Sequence, residues 1–336
     1  MRMHLFALLL LAAHTAHGQE PVVNARGPAF AADGRLVVSI DGDLWLRSGT
    51  QWRQLTRGAA WDREPTWTPD ATAIVFSSDR SGNDDLWRLT LAGGDPTQLT
   101  SSPEADREPS VLTNGTIVFV RGSNRAARLW LRDTSERRLT RGQNTERSPS
   151  AHGTRVAYVQ VTDEGRRLRV FTVPTGKDTT IISERNPESP AWSPDGSRLT
   201  FASGGARGGV FITDSAGRYI NLLSSTRGES AWNPDGSNIV VAERTMEESG
   251  YNGDPNRLGD REIGESSSRR DRLVTIAAPP VPVAGNAVSD ALPLDRGARN
   301  AELYDRAFAR LERAYFAQPS AQGRLTRLRA LRDRFR

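Results

Sequence analysis

Short apolar runs, rather than helical stripes, organise this chain. Ala73–Ser78, Thr116–Val120, Val156–Val161 and Ile239–Ala242 are brief stretches of β-branched, aromatic and small apolar side chains bounded by polar turns, the pattern of half-buried or buried strands. They belong to a unit that recurs. It opens near a proline, continues through an aromatic and a turn into one strand, then a second strand ending in a bulky pair, and closes on Leu-Thr. The fullest copy is EPTWTPDATAIVFSSDRSGNDDLWRLTLAGGDPTQLT, residues 64–100; shorter ones are SPAWSPDGSRLTFAS, 189–203, and SAWNPDGSNIVVAER, 230–244.

Anchored on its proline, the unit starts at Pro28, Pro65, Pro109, Pro149 and Pro190, with Ala231 taking that place in the sixth copy; the spacings are 37, 44, 40, 41 and 41. A period near 40 with several short strands per unit is that of propeller blades. A helical solenoid of similar period needs 3.6-residue apolar stripes, which are missing here. The expected fold is all-β, a six-bladed β-propeller over residues 19–277 with a short C-terminal α-helical hairpin. Asp271–Ala277 reads as the third strand of the last blade, and Pro21-Val22-Val23 as an outer strand completing it, which would leave only short, protected edges.

Ser193-Pro194-Asp195-Gly196 and Asn233-Pro234-Asp235-Gly236 fit type I turns, with proline presetting φ and glycine easing the exit; Thr68-Pro69-Asp70 is a degenerate copy. Trp45, Trp87 and Trp130 recur at one blade position and Trp67, Trp192 and Trp232 at another. Recurrence at fixed positions points to packing between blades.

The ends differ from this body. Arg2 followed by the apolar Leu5–Ala13 and by Ala16-His17-Gly18 reads as a signal peptide, residues 1–18, cleaved after Gly18. The apolar core is too short to span a bilayer, and the chain contains no other run long enough, so no membrane span is expected. The absence of cysteine removes both a lipid anchor and a disulfide framework. Residues 245–270, polar and charged, read as a long loop in blade six. Residues 278–298 carry Pro279, Pro280, Pro282 and Pro293 and read as an extended linker. Residues 299–336 read as two basic helices: Tyr304, Phe308, Leu311 and Tyr315 fall on one face, Pro319 interrupts, and Leu325, Leu328, Leu331 and Phe335 mark a second face. The net charge of +5 belongs to this tail. Its arginines outnumber its acids, whereas the body is slightly acidic and has no basic stripe for nucleic acid.

Catalytic chemistry finds few candidates. Beyond the leader the one histidine is His152 and the one lysine Lys177; each sits in a turn-like context without a nucleophile signature beside it. Asp79, Ser81, Asn83 and Asp85 alternate like half a calcium loop, but the required glycine and glutamate are replaced by Asp84 and Thr90. No cofactor or metal site and no catalysis are expected. The loops entering the blades do repeat charge: Asp62, Arg63 and Glu64; Asp106, Arg107 and Glu108; Glu146 and Arg147; then Glu188 and Glu229. Around an axis these would ring one mouth of a central channel, either as ion pairs between blades or as contacts for a peptide ligand. Paired carboxylates such as Glu64 and its counterparts also leave open a sugar-processing enzyme.

The W-S-P-D-G segment at 192–196, the S-S-D-R-x-G-N-x-D-L-W segment at 77–87 and the Leu-Thr endings at 55–56, 99–100 and 139–140 resemble the WD40-like repeats of TolB and of tricorn-type proteases. The resemblance implies a periplasmic or secreted propeller that binds a peptide or protein partner. TolB itself carries an α/β domain before its propeller, whereas here the repeats follow the leader directly. YNGDPNRLGDRE, 251–262, and the tail with Tyr315-Phe316 and Gly323 resemble the segments that lead out of the propeller in tricorn-like serine peptidases. That implies the alternative, a non-catalytic front portion that gates or positions peptide substrates, with a longer chain beyond Arg336.

Overall fold

The computed structural model describes residues 25–204, 208–245 and 270–280. They form six antiparallel sheets, each in sequential strand order. The inner strands are Ala25–Phe30, Asp62–Trp67, Asp106–Val111, Thr145–His152, Pro187–Trp192 and Gly228–Trp232. Five blades have four strands. The sixth has three among the described residues, the third being Arg270–Ala277. Pro21-Val22-Val23, the segment read as a leader, most of the expected linker and the tail expected to form two helices lie outside the described residues. So do residues 246–269, although the register of blade six runs out to the pair Thr245 and Arg270 on either side of them.

The ring is held by the faces of neighbouring sheets. Val37, Leu44 and Leu46 of blade one pack with Trp67, Ile74, Phe76 and Leu89 of blade two; Val240, Ala242 and Leu273 of blade six pack with Ala25, Leu36 and Val38 of blade one and close the circle. Second strands are covered on both faces, so Ala73–Ser78 and Arg198–Ser203 are buried throughout, which explains their unbroken apolar runs.

The recurrent residues now have causes. The Leu-Thr ending ties the outer part of a blade to its third strand: Leu55 N–H donates to Leu44 O (2.8 Å), and Thr56 Oγ1 accepts from Leu44 N–H (2.9 Å). Leu99-Thr100 repeats both bonds on Leu86. Trp67, Trp192 and Trp232 lie between blades. Each indole N–H donates to a carbonyl of the preceding inner strand, Ala29, Ser150 and Ala191, at 3.0, 3.0 and 3.2 Å. An arginine from the preceding blade covers each ring, Arg35, Arg155 and Arg198, at 4.9, 4.4 and 4.7 Å from the centroid. The turn aspartates are fixed locally. Asp195 accepts from Ser193 Oγ and Ser197 Oγ, both at 2.6 Å, and these bonds hold its carboxyl down at about 2 against the cost of partial burial.

One alignment changes. Five inner strands carry a β-bulge in which two residues oppose one: Gly27-Pro28, Glu64-Pro65, Glu108-Pro109, Ser148-Pro149 and Ser189-Pro190. Blade six is in continuous register, with Ala231 paired to Val240 as Ala191 is to Thr200. Ala231 therefore does not replace the repeat proline; that position is deleted together with the bulge.

Candidate functional site

The first bulge residue is left-handed in every case: φ is 55° at Gly27, 55° at Glu64, 53° at Glu108, 51° at Ser148 and 44° at Ser189. Such a residue bends the strand and re-aims its side chain. A proline tolerates the next position because no ladder bond is needed there. Gly27 has an added reason to be glycine, since a Cβ there would lie 3.2 Å from Pro65 Cδ.

These ten residues, with Glu229 and Ser230, enclose the waist of the channel, a cavity of 190 Å³. The waist is stitched across blades by carboxylates. Glu229 Oε2 accepts from Gly27 N–H at 2.7 Å. Glu64 Oε2 accepts from Glu108 N–H and from Ser77 Oγ, both at 2.8 Å. Glu108 Oε2 accepts from Ser148 N–H. Enclosure by protein pushes the carboxyls of Glu64 and Glu108 above the ordinary carboxylate range; Glu108, with Glu64 adding repulsion, rises to about 7.

Above the waist, on the side where the inner strands begin, the channel widens to a 630 Å³ mouth. Its lining includes Glu64, Glu108, Glu188 and Glu229 together with Arg125, Arg147 and Arg166. The opposite mouth, 480 Å³, is lined by the repeat prolines, Trp192, Trp232 and His152. His152 packs 5.9 Å from Trp192, and burial and then Arg155 lower its pKa.

Of the ten charged residues expected at a rim, the structure brings Glu64, Glu108, Arg147, Glu188 and Glu229 to the channel lining. Asp62 and Asp106 turn into their blades, where Arg80 and Arg121 hold them with two hydrogen bonds each. Arg80 and Arg121 also stack on Trp87 and Trp130, at 5.0 and 4.7 Å. Glu146, equally buried, accepts from Leu129 N–H and Thr140 Oγ1. Arg63 and Arg107, from adjacent blades, share one carboxylate, that of Asp84. Arg125, Arg166, Arg227 and the bulge glycine Gly27 were not singled out by the repeat; the only sequence signal for the bulges is the series Gly-Pro, Glu-Pro, Glu-Pro, Ser-Pro, Ser-Pro. Asp79, Ser81, Asn83 and Asp85 are occupied in local hydrogen bonds, and among the described residues no cluster of metal-ligating side chains occurs.

Trp61 immediately precedes the inner strand of blade two. It is 57% exposed, the one large hydrophobic so exposed among the described residues. It lies over Gly42, where an added Cβ would come within 3.5 Å of the indole. Trp61 and Gly42 are both at the wide-mouth end.

Residues 14–152 match the TolB beta propeller domain family. The Tol-Pal system protein TolB of Bordetella pertussis is 45% identical over 47 residues, which is 14% of this chain and 11% of that protein; the chain thus aligns with only a small part of that relative's length. A TolB structure from Agrobacterium tumefaciens superposes with a TM-score of 0.55 at 18% identity, covering 65% of this chain and 89% of the other. TolB from Acinetobacter baumannii gives 0.52 at 20% identity, covering 61% and 55%. The repeats within residues 14–152 are similar to those of TolB propellers, and the structural likenesses establish the shared fold. No helix among the described residues is long and apolar enough to cross a membrane.

Proposed function

We propose that this TolB-type propeller is a periplasmic binding module that receives a peptide or protein partner at its wide mouth. The observation that carries the reading is Trp61, an exposed indole at the same end of the ring as the open, polar cavity of 630 Å³. Tryptophan is enriched at interfaces and among binding hot spots. The Tol-Pal system relative supports a partner-binding role, and the leader-like residues 1–18 support export. The tail's likeness to the lead-out of tricorn-like serine peptidases is the basis of a second reading, in which the same mouth gates substrates for a catalytic part encoded beyond Arg336; the downstream reading frame tests it.

A panel of short labelled peptides, neutral, acidic and basic, titrated by fluorescence anisotropy, tests the main reading. At least one should bind, Trp61→Ala should weaken it, and Ser135→Ala, in a turn at the other end of blade three, should not. Absence of binding by every peptide, or equal binding by Trp61→Ala, would sink it. Export is tested by N-terminal sequencing of the mature protein from a periplasmic extract, with Gln19 expected first.

A further inference from the structure

We propose that the wide mouth selects acidic peptide segments, with Arg125, Arg147 and Arg166 forming an arc that takes the ligand's carboxylates. The proposal rests on the peptide-binding reading above and names its substrate class. The three arginines line the same cavity. Arg147 is exposed and makes no ion pair among the described residues. Arg166 shares Glu188 with Arg227, so one carboxylate stands between two guanidinium groups. Along this side of the mouth the arginines therefore gather around the one carboxylate of Glu188, while Glu64, Glu108 and Glu229 lie toward the waist. The consequence is visible at Arg166, whose pKa is lowered by burial and by the neighbouring Arg227 and Arg147. Glu64, Glu108 and Glu229 each spend an oxygen on a backbone N–H of the waist, and Arg147 attracts the Glu108 carboxyl.

The geometry also favours one class of anion. A guanidinium presents paired donors that match a carboxylate. Nucleic acid needs a continuous basic track, whereas this arc covers one side of one cavity. A peptide with spaced carboxylates can meet the arc with its side chains and Trp61 with an apolar residue.

The test is anisotropy of the full chain with a labelled peptide of alternating glutamate and glycine that ends in leucine, beside its glutamine and lysine counterparts. The glutamate peptide should bind roughly tenfold tighter than the glutamine one, and the preference should shrink with added salt. Arg125→Ala and Arg147→Ala should each weaken it by roughly three- to tenfold. Arg53→Ala, on an exposed outer strand, should leave it unchanged. Equal binding of the glutamate and glutamine peptides, with Trp61→Ala still weakening both, would overturn the acid preference and leave the binding reading intact. Binding of no peptide at all would remove both. Competition by an oligonucleotide as effective as that by the glutamate peptide would overturn the assignment to peptides. Unchanged urea midpoints for the arginine variants show that any loss is not unfolding.

Discussion

Replacing Glu108 with glutamine separates the carboxyl's charge from its work as a hydrogen-bond acceptor. In the waist, Glu108 accepts from the backbone N–H of Ser148, and a glutamine amide oxygen can still do so. The charge, by contrast, is costly there. Enclosure by protein and then the proximity of Glu64 and Glu229 raise the pKa from 4.5 to about 7, against the opposing pull of the Ser148 N–H and Arg147. Below pH 4.5 the carboxyl is protonated whether the chain is folded or not, and it contributes nothing. Between 4.5 and 7 the unfolded chain releases a proton that the folded chain keeps, so stability falls as pH rises. Above 7 the whole cost is present. The shift corresponds to at most about 3 kcal/mol, less whatever water in the channel screens. Urea unfolding at constant ionic strength between pH 4 and pH 8 reads this directly. Glu108→Gln should flatten the slope between pH 4.5 and 7 and be the more stable protein at pH 8, by about 1–3 kcal/mol. Because Glu64 repels Glu108 and both are repelled by Glu229, the Glu64→Gln, Glu108→Gln pair should be non-additive. An unchanged pH slope in Glu108→Gln would refute the idea that the waist holds carboxyls at a cost.

Three further outcomes follow from the packing. Arg121→Ala leaves Asp106, fully buried, without its counter-ion, and should cost about 3–5 kcal/mol in a urea titration at neutral pH; Asp106→Asn in the same background should recover part of it. Trp192→Phe removes the indole N–H bond to Ser150 and some packing beneath Arg155, and should cost about 1–3 kcal/mol by thermal unfolding. Gly217 and Gly236 have nearly the same φ, 75° and 71°, but a Cβ on Gly217 would lie 2.1 Å from Ile181 O whereas one on Gly236 meets nothing. Gly217→Ala should therefore cost clearly more than the ~1 kcal/mol expected from left-handed backbone at Gly236→Ala, a difference that urea midpoints resolve.

Much of the fold is written locally. The spacing of the prolines, the Pro-Asp-Gly turns and the alternation of short apolar runs specify strands, turns and blade number, because a strand's hydrophobic period and a turn's φ requirements depend on neighbours in sequence. Tryptophan recurrence likewise identified packing positions, since six sheets facing one another need large side chains at equivalent places. The charged loops were different. Asp62, Arg63 and Glu64 are consecutive, yet one is buried in its blade on Arg80, one reaches to Asp84 and one lines the waist. A left-handed bulge residue breaks the two-residue alternation from which faces are read, and only the proline after it hints at the break. Blade six, lacking that extra residue, shifts its own alignment by one. The balance of charge at the mouth was also beyond local reading. Arg166 and Arg227 converge on Glu188 from segments far apart in the chain, and long-range pairing of this kind is fixed by the closing of the ring. Six blades and the places of their strands follow from local pattern alone; which charges hold blades together and which face the channel follows only from the closed ring, because it depends on backbone twist at the bulges and on neighbours supplied by other blades.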